Sequence, residues 1–183
     1  MDQHDLLIKI RETHTEISWL HPYRDLGLIP NPAASELAIK RAEKRLKRKL
    51  PPSYRAFLAL HDGWPRFFHG ASLLGTANLG HRKYEDLARA AFEAAETPVP
   101  DLGPPRRPRA RNLIPFGADL DGTTLFAFNP AVVSPDGELE VIAWVNELGI
   151  RQPSFGAFLE FILDLGEQDI ADLTAPPAFA KTA

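Results

Sequence analysis

Six histidines, at positions 4, 14, 21, 61, 69 and 81, are the side chains of this sequence best suited to proton or metal chemistry near neutral pH. None stands in HExxH or another spacing with a defined coordination geometry. His61 and His69 flank a turn-rich stretch and could meet at a metal with Asp62, or could be ordinary turn and surface histidines. Cysteine is absent, which excludes thiolate metal sites, and no GxSxG elbow marks a serine nucleophile. Neither GxGxxG nor GxxxxGK[ST] occurs, so there is no glycine-rich cradle for a phosphate. Asp119 and Asp121, in FGADLDGTT, form a DxD that could hold a divalent cation through two hard oxygens. Asp-Gly between two strands is also what a tight hairpin asks for, and that turn is the preferred reading. No cofactor and no metal are expected, and no catalytic residue is assigned, because no set of side chains combines chemistry with spacing.

Two further patterns suit binding rather than reaction. The run KRAEKRLKRK, residues 40–49, clusters bases that would release counterions from a phosphate backbone, and RRPRAR at 106–111 could extend it. It lacks interleaved aromatics for base stacking, so a solvated helix face is the preferred reading and nucleic-acid binding the alternative. Trp64, Phe67 and Phe68 sit in a Gly/Pro-rich bend, where Trp64 could be an exposed anchor for a partner or could pack the end of a sheet.

The elements that must position these residues follow from periodicity. Leu6, Leu7, Ile10, Ile17 and Leu20 predict an amphipathic helix over about 3–20. After a proline-rich loop, SELAIKRAEKRLKRKL predicts a helix with Ile39, Ala42, Leu46 and Leu50 on its stripe, ended by Pro51 and Pro52. PSYRAFLALHDG predicts a third helix closed at Gly63, then a bend and one short strand, then a helix on Tyr84, Leu87, Ala91 and Ala95. Residues 97–111 hold five prolines and four arginines and are expected as an extended surface loop. NLIPF, TTLFAF and LEVIAWV then predict an antiparallel meander, and SFGAFLEFILDL a closing helix with Ser154 as its cap. The expected fold is one α+β domain, an antiparallel sheet of about four to six strands covered by helices.

Composition sets the outer bounds. The 183 residues carry 21 Lys and Arg against 24 Asp and Glu, and 44% are hydrophobic, which suits one globular domain and excludes disordered and disulfide-framework classes. No apolar run approaches the roughly 18 residues of a membrane span, and MDQHDLLIKI carries acids where a secretory leader carries bases, so the chain is placed in the cytoplasm. Charge is uneven. Residues 36–55 hold eight bases and two acids, whereas residues 112–183 hold eleven acids and two bases. Kept apart by the fold, these blocks would steer partners of opposite sign.

The segment ELAIKRAEKRLKRKLPPSYRAFLALHDGW resembles the helix, Leu-Pro, Tyr, helix, Asn-Gly-Trp signature of the SUKH superfamily, with Asp62 standing where Asn is common. LIPFGADLDGTTLFAFNP and LEVIAWVNELGIRQPSFGAFLEFIL resemble that family's acidic turn, closing strand and terminal helix. Thr123 and Thr124 replace a Gly-Asp pair usual after the acidic turn. The resemblance divides the chain into an N-terminal helix extension (1–27), a family-like core (28–165) and a tail (166–183). It implies a non-enzymatic immunity protein that binds a cognate toxin, frequently a nuclease, encoded beside it. A basic nuclease groove would meet the acidic half, so Asp119, Asp121, Glu138, Glu140 and Glu147, with Trp64, are the expected partner-binding residues. A regulatory or scaffolding module of the same fold is the rival implication.

Overall fold

The computed structural model describes residues 2–94, 112–145 and 148–175. The expected surface loop at 97–111 and the residue Glu147 lie outside the described residues.

Helix α1 (Gln3–Leu20) starts where the Asp2 carboxylate accepts the Asp5 N–H at 2.8 Å. It buries Leu6, Leu7, Ile10 and Ile17 as the spacing predicts, but Leu20 at its end is exposed. Helix α2 (Glu36–Leu46), capped by Ser35, stops short of the two prolines. Lys47 adopts a left-handed φ of 56°, and its N–H closes on the Glu43 and Lys44 carbonyls. Proline therefore begins the next helix rather than ending this one. Glu43, on the buried side of α2, reaches across the break and accepts the Leu50 N–H. Helix α3 (Pro52–Leu60) follows at once, with proline at its first position where no backbone donor is needed.

The single short strand expected after α3 is in fact a hairpin, β1 (Trp64–Phe68) and β2 (Ala71–Leu73). Its turn uses His69 at φ 46° and Gly70 at φ 76°, a left-handed pair that a hydropathy pattern does not reveal. Helix α4 (Arg82–Ala94) precedes β3 (Ile114–Ala118), β4 (Thr124–Val133), β5 (Leu139–Val145) and β6 (Leu148–Gln152). The six strands pair in chain order, all antiparallel. Helix α5 (Phe155–Thr174), capped by Ser154, runs past residue 165 into the first part of the stretch expected as a tail.

One face of the sheet is aromatic. Phe116, Phe126 and Phe128 pack against Phe155 and Phe158 of α5 and around Tyr54 of α3, all fully buried. The Tyr54 hydroxyl donates to the Leu74 carbonyl at 2.6 Å, tying the helix layer to the end of β2. Burial pushes that hydroxyl's pKa well above its usual value. The other face carries Ala118, Leu125 and Trp144, which pack with Ala88 of α4. The chain is thus an α+β fold, with five helices on a six-stranded antiparallel sheet among the described residues.

Candidate partner-binding surface

Several of the acids expected to face a partner are occupied inside the molecule. The Asp119 carboxylate accepts the Gly122 N–H at 2.6 Å, the Thr124 N–H at 3.0 Å and the Thr123 hydroxyl, which folds the β3–β4 turn. Glu138 accepts the Ser53 N–H at 2.7 Å and its hydroxyl at 2.6 Å. It thereby caps α3, whose own N-cap residue, Pro51, has no side chain that can do so. Glu140 is buried, held by Asn129 Nδ2 at 2.7 Å and Arg151 Nε at 2.7 Å. Asp121 is exposed, next to Leu120 at the tip of the turn.

The exposure expected of Trp64 is corrected. Its ring has no solvent-accessible surface, and Nε1–H donates to the Gly27 carbonyl at 2.7 Å. A strand-start Trp facing the helix layer is a core residue, and the Gly/Pro flanks that suggested a surface bend belong to the hairpin. Phe67 is equally buried.

The histidine pair does not converge either. His61 Nδ1 lies 3.2 Å from the Asn31 carbonyl, while His69 packs edge-on against Phe68 and lines a different hollow. Asp62 is held by the Thr76 hydroxyl at 2.9 Å. Among the described residues no three His, Asp or Glu side chains gather as metal ligands.

In the basic run, Lys40 pairs with Glu36 at 3.4 Å, Lys49 with Glu43 at 3.0 Å, and Arg45 Nε donates to the Leu79 carbonyl at 2.6 Å. Arg41, Lys44, Lys47 and Arg48 stand exposed on the same helix and its end.

Other exposed apolar side chains stand at the end of α1 and in the connector to α2. Among the described residues, Trp19 (82% exposed), Tyr23 (94%) and Ile29 (81%) face solvent, with Leu20 and Leu28 more partly covered. The connector itself is pinned. Gly27 N–H donates to the Arg66 carbonyl at 2.8 Å, and the Gly27 carbonyl receives Trp64. A Cβ at position 27 would fall 1.7 Å from the Pro65 carbonyl oxygen, so only glycine lets the connector approach β1. Arg24 pairs with Asp169 of α5, and Arg66 with Asp25 at 2.7 Å.

Beneath the connector lies a hollow of about 270 Å³, walled by Ile17, Leu26, Phe68, Ile162 and Gly166. His14 and His69 line it as well. Burial lowers the pKa of both, and His14 is held neutral between the edges of Trp64 and Phe67 with Nδ1 3.3 Å from the Gly27 carbonyl. Periodicity placed Leu20 on the buried stripe and did not single out Trp19 or Tyr23. The available signal was Trp19 falling opposite Ile10 and Ile17 on the helical wheel.

A family model described as SMI1 / KNR4 family (SUKH-1) matches residues 33–161, more than half of the chain. The chain belongs to the SMI1/KNR4 family. Comparison with curated proteins gave no match. The SMI1/KNR4 region takes in α2 to α4, the whole sheet and the first turns of α5. Helix α1, most of the connector and the later turns of α5 fall outside it, and so do the exposed Trp19, Leu20, Tyr23, Leu28 and Ile29. The SMI1/KNR4 family includes immunity proteins that bind toxins, and no helix among the described residues is long and apolar enough to cross a membrane.

Proposed function

We propose that this protein is an immunity protein, which binds one cognate toxin inside the producing bacterium and neutralises it by covering its working groove. Membership of the SMI1/KNR4 family carries this reading. Charge supports it: α5 has five acids and no base, a surface complementary to a groove built to grip nucleic acid. Exposed Asp121, and Glu147 from the sequence, would add to that field, whereas Asp119, Glu138 and Glu140 would act by holding the fold that presents it. Inhibition by occlusion needs no chemistry from the inhibitor, only fast encounter and slow release.

Coexpression with the toxin-like product of the adjacent gene tests the proposal. Cells carrying both should grow, and the two proteins should copurify. Equal killing with and without this chain, with no complex between purified proteins, would remove the immunity reading. A regulatory module of the same fold would lack a toxin gene alongside. The exposed Arg41, Lys44, Lys47 and Arg48 favour a second reading, nucleic-acid binding, which predicts retention on a DNA or RNA column that falls steeply with salt.

A further inference from the structure

We infer that the hollow beneath the connector binds a small uncharged molecule, an aromatic ring with one O–H or N–H such as a phenol or an indole, which donates to His14 Nε2. The observation that carries this is a buried acceptor with no partner. His14 is only 4% exposed, and its Nδ1 lies 3.3 Å from the Gly27 carbonyl, a contact in which Nδ1–H donates. That tautomer leaves the free lone pair on Nε2. Among the described residues no protein group donates to Nε2, and the atom is not sealed from solvent. Because His14 lines the hollow, that lone pair is offered to whatever enters it. A ligand that brings a donor satisfies it; a ligand without one leaves it unpaired.

The walls fix the rest of the ligand. Ile17 of α1, Leu26 of the connector, Phe68 of β1 and Ile162 of α5 present apolar side chains to the hollow. Its volume of about 270 Å³ exceeds the roughly 150 Å³ of an apolar cavity that takes benzene, so one substituted ring or two fused rings fit. Both carboxylates on the lining are paired, Asp169 with Arg24 and Asp25 with Arg66 at 2.7 Å. Burial lowers the pKa of His14 and of His69, which keeps both imidazoles neutral at pH 7. The lining thus suits a neutral guest and penalises an ionised one. Arg24 and Asp169 are each 37% exposed, so the hollow has a mouth on solvent. Of the lining residues only Phe68, His69 and Gly70 fall within 33–161; the others come from α1, the connector and α5 beyond the matched region. The site is therefore built mostly by what this chain carries outside the family core, and the inference does not depend on the immunity reading. A bound ring would bridge α1 and α5 and stabilise the fold by mass action.

The experiment titrates the full, isotope-labelled chain at neutral pH with phenol, indole, toluene and benzoate, read by NMR and by thermal unfolding. Phenol and indole should bind at about 1 mM or tighter, as their size allows. They should move the resonances of His14, Ile17 and Ile162, shift the His14 Nε2 signal and raise the melting temperature. Toluene should bind more weakly than phenol; a cavity without an acceptor would show the reverse order, because there the phenol hydroxyl gives up water for nothing. Benzoate, which is ionised, should not bind. His14→Phe keeps a ring in place and removes the acceptor, so phenol should weaken by at least about fivefold while toluene holds within about twofold. Leu26→Trp, which fills the hollow from its half-buried rim, should abolish binding of both. If His14→Phe fails to fold, the order of phenol and toluene on the parent and the Nε2 shift decide. No saturable binding of phenol or indole, toluene or benzoate bound as well as phenol, an unmoved Nε2 signal, or binding that survives Leu26→Trp would each overturn the assignment.

Discussion

Glu138 shows how a residue's job is decided by what lies across the fold from it. Read along the chain it is an acid beside a strand; in three dimensions it supplies the cap that Pro51 denies to α3, across 85 positions of sequence. Glu138→Ala should therefore lower stability by about 1–2 kcal/mol, measured by urea unfolding, while leaving partner affinity within about twofold. Trp64 and Glu140 belong to the same class, and the reason is common to all three. A sequence shows residue type and spacing, but hydrogen bonds across dozens of positions are set only once the layers close. His14 gives a pH prediction. Burial lowers its pKa below the 6.5 of an accessible histidine, so the folded state favours the neutral ring. Its contribution to stability is complete above about pH 6.5 and is lost as pH falls through the lowered folded value, because the unfolded chain takes up the proton first. His14→Phe, which keeps the aromatic packing and never charges, should show a smaller drop in unfolding midpoint between pH 7.5 and pH 5 than the parent. The lowered pKa values of His61 and His69 leave a residual acid sensitivity in both.

At the scale of elements, α1 and α5 meet at a contact only a small residue permits. A Cβ on Gly166 would lie 2.5 Å from Thr13 Cγ2, and Thr13 cannot easily turn because its hydroxyl donates to the Lys9 carbonyl at 2.9 Å. Gly166→Ala should cost about 1–3 kcal/mol of stability by forcing the helices apart. Adding Thr13→Ala should recover most of that loss, and thermal unfolding of the four members of the cycle would read the coupling directly. The long amphipathic helices and the alternating strands were legible because periodicity is local, and α1, α4 and β3 to β5 fall where the pattern puts them. The boundaries that moved depend on backbone geometry that periodicity does not encode. Lys47 turns left-handed and stops α2 early, while His69 and Gly70 fold a hairpin out of what looked like a bend. The later turns of α5 carry acids that look like a tail, yet Gly166 still packs on Thr13 of α1 and Asp169 pairs with Arg24.

Viewed whole, the molecule has a basic helix α2 and an acidic helix α5, as the sequence-level charge asymmetry suggested. Partner capture led by α5 should be salt-sensitive. Between about 50 mM and 500 mM salt the association rate should drop roughly tenfold or more while dissociation changes little, as surface plasmon resonance would record. The candidate surface was the less legible part, since which acids stay free for a partner is settled only when Ser53 closes on Glu138 and Asn129 and Arg151 close on Glu140. The strand order also bears on biosynthesis. Each strand pairs with the one made just before it, so the sheet can grow as the chain leaves the ribosome. Its aromatic face is only half covered by then: Tyr54 of α3 meets Phe116 and Phe128, but the rest of the packing waits until Phe155 and Phe158 have been translated. A nascent chain halted after β6 would carry a finished sheet with a sticky side, making the final helix the step at which chaperone dependence ends.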